Sequence, residues 1–167
     1  MAYNETDLAY LAGFIDADGS LEICHGHKER KNISSHAVAK MCLVNTNREC
    51  LENIQRIFNR MGNLRVSQRR APFRDCYILD FRKDEMKELI PKILPYLKLK
   101  QKQAKLLLYL FSLLRTPTRT FSQTKRDLAT WALFLNKRGI RNDNYEEKLR
   151  EFYVFYNSLN PTLELGL

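Results

Sequence analysis

The spacing of apolar residues changes several times along the chain, and each change marks an element. Between residues 7 and 17, Leu11, Phe14 and Ile15 fall at three- and four-residue intervals, the spacing of a helix. Asn4 or Thr6 is placed to cap its first turn, Asp7 suits its positive end, and Asp18-Gly19 ends it. Residues 20–27 and 36–45 read as strands joined by a polar, basic loop. From Arg48, the positions of Leu51, Ile54, Ile57, Phe58 and Met61 return to helix spacing, with Gly62 placed as a C-terminal cap. Leu64 and Val66 then alternate with Arg65, Ser67 and Arg69, which is the period of a strand. A further strand around residues 76–82 follows a turn containing Ala71-Pro72-Phe73. A helix from about Asp84 to Ile90 comes next, punctuated by Pro91 and Pro95, and helical stretches near 101–115, 122–138 and 143–157 complete the chain. The order is α-β-β-α-β-β-α with additional C-terminal helices, an α+β pattern built from antiparallel hairpins.

Charge adds a direction to this outline. The 167 residues carry 28 Lys and Arg against 19 Asp and Glu, a net charge of +9, so a polyanion is the first partner to consider. No basic residue precedes Lys28, whereas Glu5, Asp7, Asp16, Asp18 and Glu22 all do. A small acidic segment is thus joined to a large basic body, the arrangement needed to hold a divalent cation against a nucleic-acid backbone. Cys24, Cys42, Cys50 and Cys76 have no CxxC or CxxH spacing, which argues for free thiols in a reducing compartment rather than zinc. No basic segment followed by an apolar run marks a secretory signal, and the longest apolar stretch, residues 106–114, is interrupted by Ser112 and too short to span a bilayer. An intracellular protein without a membrane is expected, in a prokaryotic cytoplasm or an organelle. The length has room for one well-buried core, hence a single domain.

The segment from Leu11 to Gly19 concentrates the candidate chemistry. Ala9, Gly13 and Ala17 are small residues four apart on one helix face, where another helix can approach backbone to backbone. Leu11, Phe14 and Ile15 are large enough to anchor the same helix in its own core. Asp16 and Asp18 crowd the helix C-terminus, the negative end of its dipole, where a hard divalent cation would relieve the repulsion. Asp18-Gly19 also reads simply as a turn that ends a helix.

The full string Leu11-Ala12-Gly13-Phe14-Ile15-Asp16-Ala17-Asp18-Gly19 resembles the motif of the LAGLIDADG homing endonucleases, with Phe14 as the clear departure. The resemblance extends over about residues 7–110, including Pro95-Tyr96-Leu97-Lys98-Leu99-Lys100-Gln101-Lys102-Gln103-Ala104, and leaves a helical C-terminal part from about 111 to 167. It implies the homing-endonuclease fold, with a saddle-shaped antiparallel sheet lying in the DNA major groove. It implies metal-dependent hydrolysis of one phosphodiester in each strand at a long site, by an intron- or intein-borne enzyme using Mg²⁺, with Mn²⁺ or Ca²⁺ as substitutes. Two motif helices pack together in this family. One motif per chain therefore implies a homodimer through Ala9, Ala12, Gly13, Asp16 and Ala17, and a near-palindromic target.

By the same resemblance Asp18 is the metal-binding carboxylate, the Ala17 carbonyl is a neighbouring ligand, and Asp16 is structural. Lys98 resembles the family's basic residue near the scissile phosphate, with Lys100 and Lys102 competing for that role. The family often has a Gln followed four residues later by a basic residue near the metal. Here those positions are Thr46 and Cys50, with Asn45 and Arg48 as nearby candidates. Candidate DNA contacts are Lys28, Arg30, Lys31 and Lys40 on the first hairpin, and Arg65, Ser67, Arg69, Arg70 and Arg74 on the second, together with Lys100. Polarity alternates poorly over residues 37–43, so the facing of that strand stays open. In the C-terminal part, Arg119, Lys125, Arg126, Lys137, Arg138 and Arg141 suit flanking phosphates or a solvated surface, and Trp131, Phe134, Phe152, Tyr153 and Phe155 suit the core. The rival functions are an RNA maturase that helps its intron splice and a non-cutting DNA-binding regulator; retention of Asp18 favours cleavage.

Overall fold

The structure, a computed structural model, describes residues 3–25, 37–113, 122–136 and 145–163. Helix α1 (Glu5–Asp18) is followed by strands β1 (Gly19–His25) and β2 (Ala37–Asn45), helix α2 (Arg48–Ile57), and strands β3 (Asn63–Ser67) and β4 (Cys76–Phe81). Helix α3 (Lys83–Ile93) leads through a 3₁₀ turn (Leu94–Tyr96) into α4 (Gln101–Leu113), α5 (Ser122–Asn136) and α6 (Tyr145–Leu163). The four strands form one open antiparallel sheet in the order β1-β2-β4-β3.

Register sorts the two faces of this sheet. Leu21 and Ile23 of β1, Met41 and Leu43 of β2, and Leu79 and Phe81 of β4 are buried on one face, against the helices. Leu8, Leu11, Ala12 and Ile15 of α1 join that core. Each fully buried Leu or Ile contributes about 1.5–3 kcal/mol over its exposed state. The opposite face carries Ser20, Glu22, Lys40, Asp80 and Arg65, which follow from the same register. This settles the facing of β2, where alternation was poor: Val38 and Lys40 are exposed on the open face, and Met41 and Leu43 are buried on the other. Cys42, also on the open face, is itself buried.

The helix starts and stops show where local signals hold. Asn4 caps α1, its Oδ1 accepting the Asp7 N–H at 2.7 Å, and Asn47 caps α2 by accepting from Cys50. Gly62, expected to cap α2, stands beyond it. The helix ends at Ile57, and the chain turns through Asn59 and Arg60, both at positive φ, before Gly62 (φ +82°) enters β3. A Cβ at Gly62 would lie 2.7 Å from Leu79 Cδ1, so close approach to β4 requires glycine there. Pro91 does not stop α3 but sits in its last turn, where a missing N–H removes only one bond near the helix end. From the C-terminal part, Leu128, Ala129, Ala132, Phe152, Tyr156 and Leu159 belong to the same buried cluster as the sheet. Trp131 packs among Phe134, Phe152 and Phe155, as the aromatic pattern suggested. Among the described residues no helix is long and apolar enough to cross a membrane.

Candidate active site at the tip of the first helix

The end of α1 is fastened by an exchange of charges with the segment entering α4. Asp16 is buried, and its Oδ2 accepts the backbone N–H groups of Lys98 (2.6 Å) and Leu99 (3.1 Å) while Oδ1 accepts that of Lys100 (2.9 Å). Those three donors lie at the start of α4, where a helix dipole favours an anion. In return, the buried Lys100 side chain reaches back, its Nζ donating to the carbonyls of Ile15 (2.5 Å) and Asp16 (2.8 Å) at the C-terminus of α1. The charge crowding that a bound cation would relieve is thus partly relieved by the chain's own lysine.

Gly19 turns the backbone directly from helix into strand. Its N–H donates to the carbonyls of Ile15 and Phe14, and its conformation is already extended. A Cβ there would stand 2.7 Å from the Ile15 Cα, so only glycine allows the turn to be this tight. Asp18, the last residue of α1, is left exposed at the tip. A cleft of about 390 Å³ opens there, lined by Ala17, Asp18, Gly19, Ser20, Glu22, Val44 and Lys100. Its donor side chains are carboxylates, a hydroxyl and an ammonium, with no thiol or imidazole among them. An oxygen-only set fits Mg²⁺, Mn²⁺ or Ca²⁺ rather than zinc. Among the described residues no group of three His, Cys, Asp or Glu could hold a metal by itself. A hard cation in this cleft would therefore take its remaining ligands from water, phosphate or a second chain.

A family profile described as LAGLIDADG endonuclease matches residues 11–112, which contain both the helix tip and Lys100. The chain belongs to the LAGLIDADG endonuclease family. Among solved structures, that of the homing endonuclease I-CvuI bound to the I-CreI target in the presence of Mg, with the DNA not cleaved, has a TM-score of 0.65 and 26% identity. The match covers 89% of this chain and 98% of that one. I-CvuI is equally similar in complex with its own target in the presence of Ca. The archaeal intron-encoded homing endonuclease I-Vdi141I, complexed with DNA, shares the fold at a TM-score of 0.62 and 19% identity, with 97% of this chain and 99% of that one covered. No curated protein sequence matches the chain.

On the LAGLIDADG helix, Ala9, Gly13 and Ala17 are exposed together, and a Cβ on Gly13 would meet nothing within 4 Å. Ala12 and Asp16 leave the expected contact face. Ala12 is fully buried in the core of its own chain, and Asp16 is turned inward onto residues 98–100. Lys98 is exposed and meets Asp16 through its backbone, while the lysine lining the cleft is Lys100. Asp18 and Ala17 line the cleft, but the outer candidates Asn45, Thr46, Arg48 and Cys50 do not. Asn45 accepts from the Asn47 N–H, Thr46 is exposed, and Arg48 pairs with Glu52 at 2.7 Å and lies over the Tyr77 ring. Cys50 instead meets the Tyr10 hydroxyl at 3.7 Å, and that hydrogen bond, with burial, raises the pKa of Tyr10.

On the second hairpin Arg65 pairs with Asp80, Ser67 is half-buried, and the Arg69 N–H donates to Asp75. Arg70 and Arg74 are exposed near the turn. Lys28, Arg30 and Lys31 lie outside the described residues, as do Arg119, Lys137, Arg138, Arg141 and the side chains of Lys125 and Arg126. Ser20 and Glu22 were missed as cleft residues. The signal was present, because period-two alternation beginning at Gly19 puts both opposite the buried Leu21 and Ile23.

Proposed function

We propose that the chain is a homing endonuclease that makes a double-strand cut at a long, near-palindromic DNA site, acting as a homodimer with a divalent metal. The observation that carries this reading is Asp18, exposed at the helix tip in an oxygen-lined cleft on the open side of the sheet, in a chain of net charge +9. Mg²⁺ is the expected ion, with Mn²⁺ or Ca²⁺ as substitutes, and the I-CvuI complexes formed in the presence of Mg or Ca support that choice. Asp18 and the Ala17 carbonyl would hold it, where a bound divalent ion supplies water activation and charge neutralisation at the phosphate.

This chain's own residues do the rest. Lys100, rather than Lys98, provides the cation at the cleft, held in place by its bonds to the α1 carbonyls. The exposed face of Ala9, Gly13 and Ala17 meets the same face of a second copy, which brings two Asp18 residues together and makes the target two-fold symmetric. The open sheet face lies in the major groove. Lys40, Arg65, Ser67 and Arg69 reach base edges or phosphates there, Arg70 and Arg74 approach phosphates, and Lys28, Arg30 and Lys31 are further candidate contacts. The whole chain works as one LAGLIDADG domain inside the cell, where its DNA is. Incubation with Mg²⁺ and a library of duplexes should yield linear products from wild type and none from Asp18→Asn. Binding without cutting by wild type across a well-covered library would replace this reading with an RNA maturase or a DNA-binding regulator.

A further inference from the structure

Arg65 and Asp80 form a cross-strand pair on the face that also carries the cleft, and the geometry shows which edge of the guanidinium is committed. The facing follows from register. Ser20, a cleft residue, lies opposite Cys42 and meets its Sγ at 3.1 Å. Cys42 in turn lies opposite Asp80 across β4. Asp80 reaches diagonally to β3, where its Oδ2 accepts the Arg65 Nε–H at 2.6 Å. Arg65 stands directly opposite Ile78, whose neighbour across β2 is Val44, another cleft residue. Among the described residues Nε is the only guanidinium nitrogen that bonds within the chain, and the Arg65 side chain remains 48% exposed.

A carboxylate on Nε fixes the plane of the guanidinium and leaves its terminal nitrogens for one planar, two-acceptor partner. In a major groove that partner is the O6/N7 edge of guanine. We propose that Arg65 and Asp80 act as one unit, with Arg65 reading a guanine in each half-site and Asp80 as the residue that positions it. The inference rests on the DNA-cutting reading above and adds to it a base and the two side chains that select it. As a mere surface ion pair the couple would add little to stability and select no base.

The test is affinity selection from a pool of random duplexes by wild type, Arg65→Lys, Arg65→Gln and Asp80→Asn. Wild type should select a consensus with one guanine per half-site that both Arg65 variants no longer require. The loss at that position should be roughly 5- to 150-fold, the value of a bidentate base contact. Arg65→Lys keeps the charge without the fork, so it should lose the preference while retaining salt-dependent affinity. Asp80→Asn should weaken the same position and have no further effect when added to Arg65→Gln. A wild-type consensus left unchanged in the Arg65 variants would overturn this inference alone. No DNA selected by wild type at all would overturn it together with the proposed function.

Discussion

The two aspartates of the motif should fail in different ways. Asp16 satisfies three consecutive N–H groups, of which that of Lys100 is buried and those of Lys98 and Leu99 are partly buried. Asp16→Ala strands the buried donor at about 1–3 kcal/mol and forfeits two further bonds at about 0.5–1.5 kcal/mol each, so the loss is about 2–6 kcal/mol. Asp16→Asn keeps one acceptor oxygen but turns an amide donor toward the remaining N–H groups, and should fall in the lower half of that range. Against a typical stability of about 5–15 kcal/mol, either change is large. Asp18 is exposed and makes no comparable bonds, so Asp18→Asn should change stability by less than about 0.5 kcal/mol while abolishing cleavage. Urea titration of wild type and variants at one protein concentration reads the difference as a shift in midpoint at constant slope. An Asp16→Asn protein as stable as wild type, or an Asp18→Asn protein as destabilised as Asp16→Asn, would refute the division of labour.

Other consequences are open to direct measurement. Lys100→Met should lower the cleavage rate by about 10²–10³-fold, as loss of a preorganised charge does, whereas Lys98→Ala should cut nearly normally; a slow Lys98→Ala beside a nearly normal Lys100→Met would return the role to Lys98. Gly13 is exposed and a Cβ there meets nothing within 4 Å, so the Gly13→Leu protein should fold but elute and scatter light as a monomer; a stable dimer would mean that another surface pairs the subunits. For Glu85, burial works against the charged form but is outweighed by hydrogen bonds from the Arg82 guanidinium and from the Arg82 and Gly62 backbone, leaving its pKa below the usual carboxylate value of 4.5. A depressed carboxylate stabilises above that value and loses its contribution as pH falls through the lower folded pKa. The stability gap between wild type and Glu85→Gln should therefore be full near neutrality and shrink below about pH 4.5, and a gap independent of pH would contradict it.

Local rules made much of this legible. The Asn4 cap, the helix ending at Asp18-Gly19 and a strand at Asn63–Ser67 each depend on neighbours within a few residues, and each appears in the structure. The expected alternation holds only for Leu64 and Arg65, because on this edge strand Val66 is exposed and Ser67 half-buried. The four strands and the element order followed from the same rules. What stayed hidden depends on residues far apart. That Lys100 lines the cleft and Lys98 does not follows only when three amides 82–84 residues away from Asp16 fold onto it, which turns one lysine inward. Ala12 has the size of an interface residue, but its angular position on α1 puts it with Leu8, Leu11 and Ile15 in the core. Arg48 looked free to stand in for a missing basic residue. Its i,i+4 partner Glu52 and the Tyr77 ring hold it elsewhere.

Nearly everything in the cleft comes from one short stretch, residues 17–22, plus Val44 and a lysine that the adjoining Asp16 fastens. The paired Arg65 and Asp80 sit instead on β3 and β4, at the opposite side of the sheet order from β1. On the proposed roles, the metal-binding carboxylate and the guanine-reading pair belong to different elements. The base preferred at that one position can then be rewritten on β3 and β4 while the residues of the cleft are inherited unchanged.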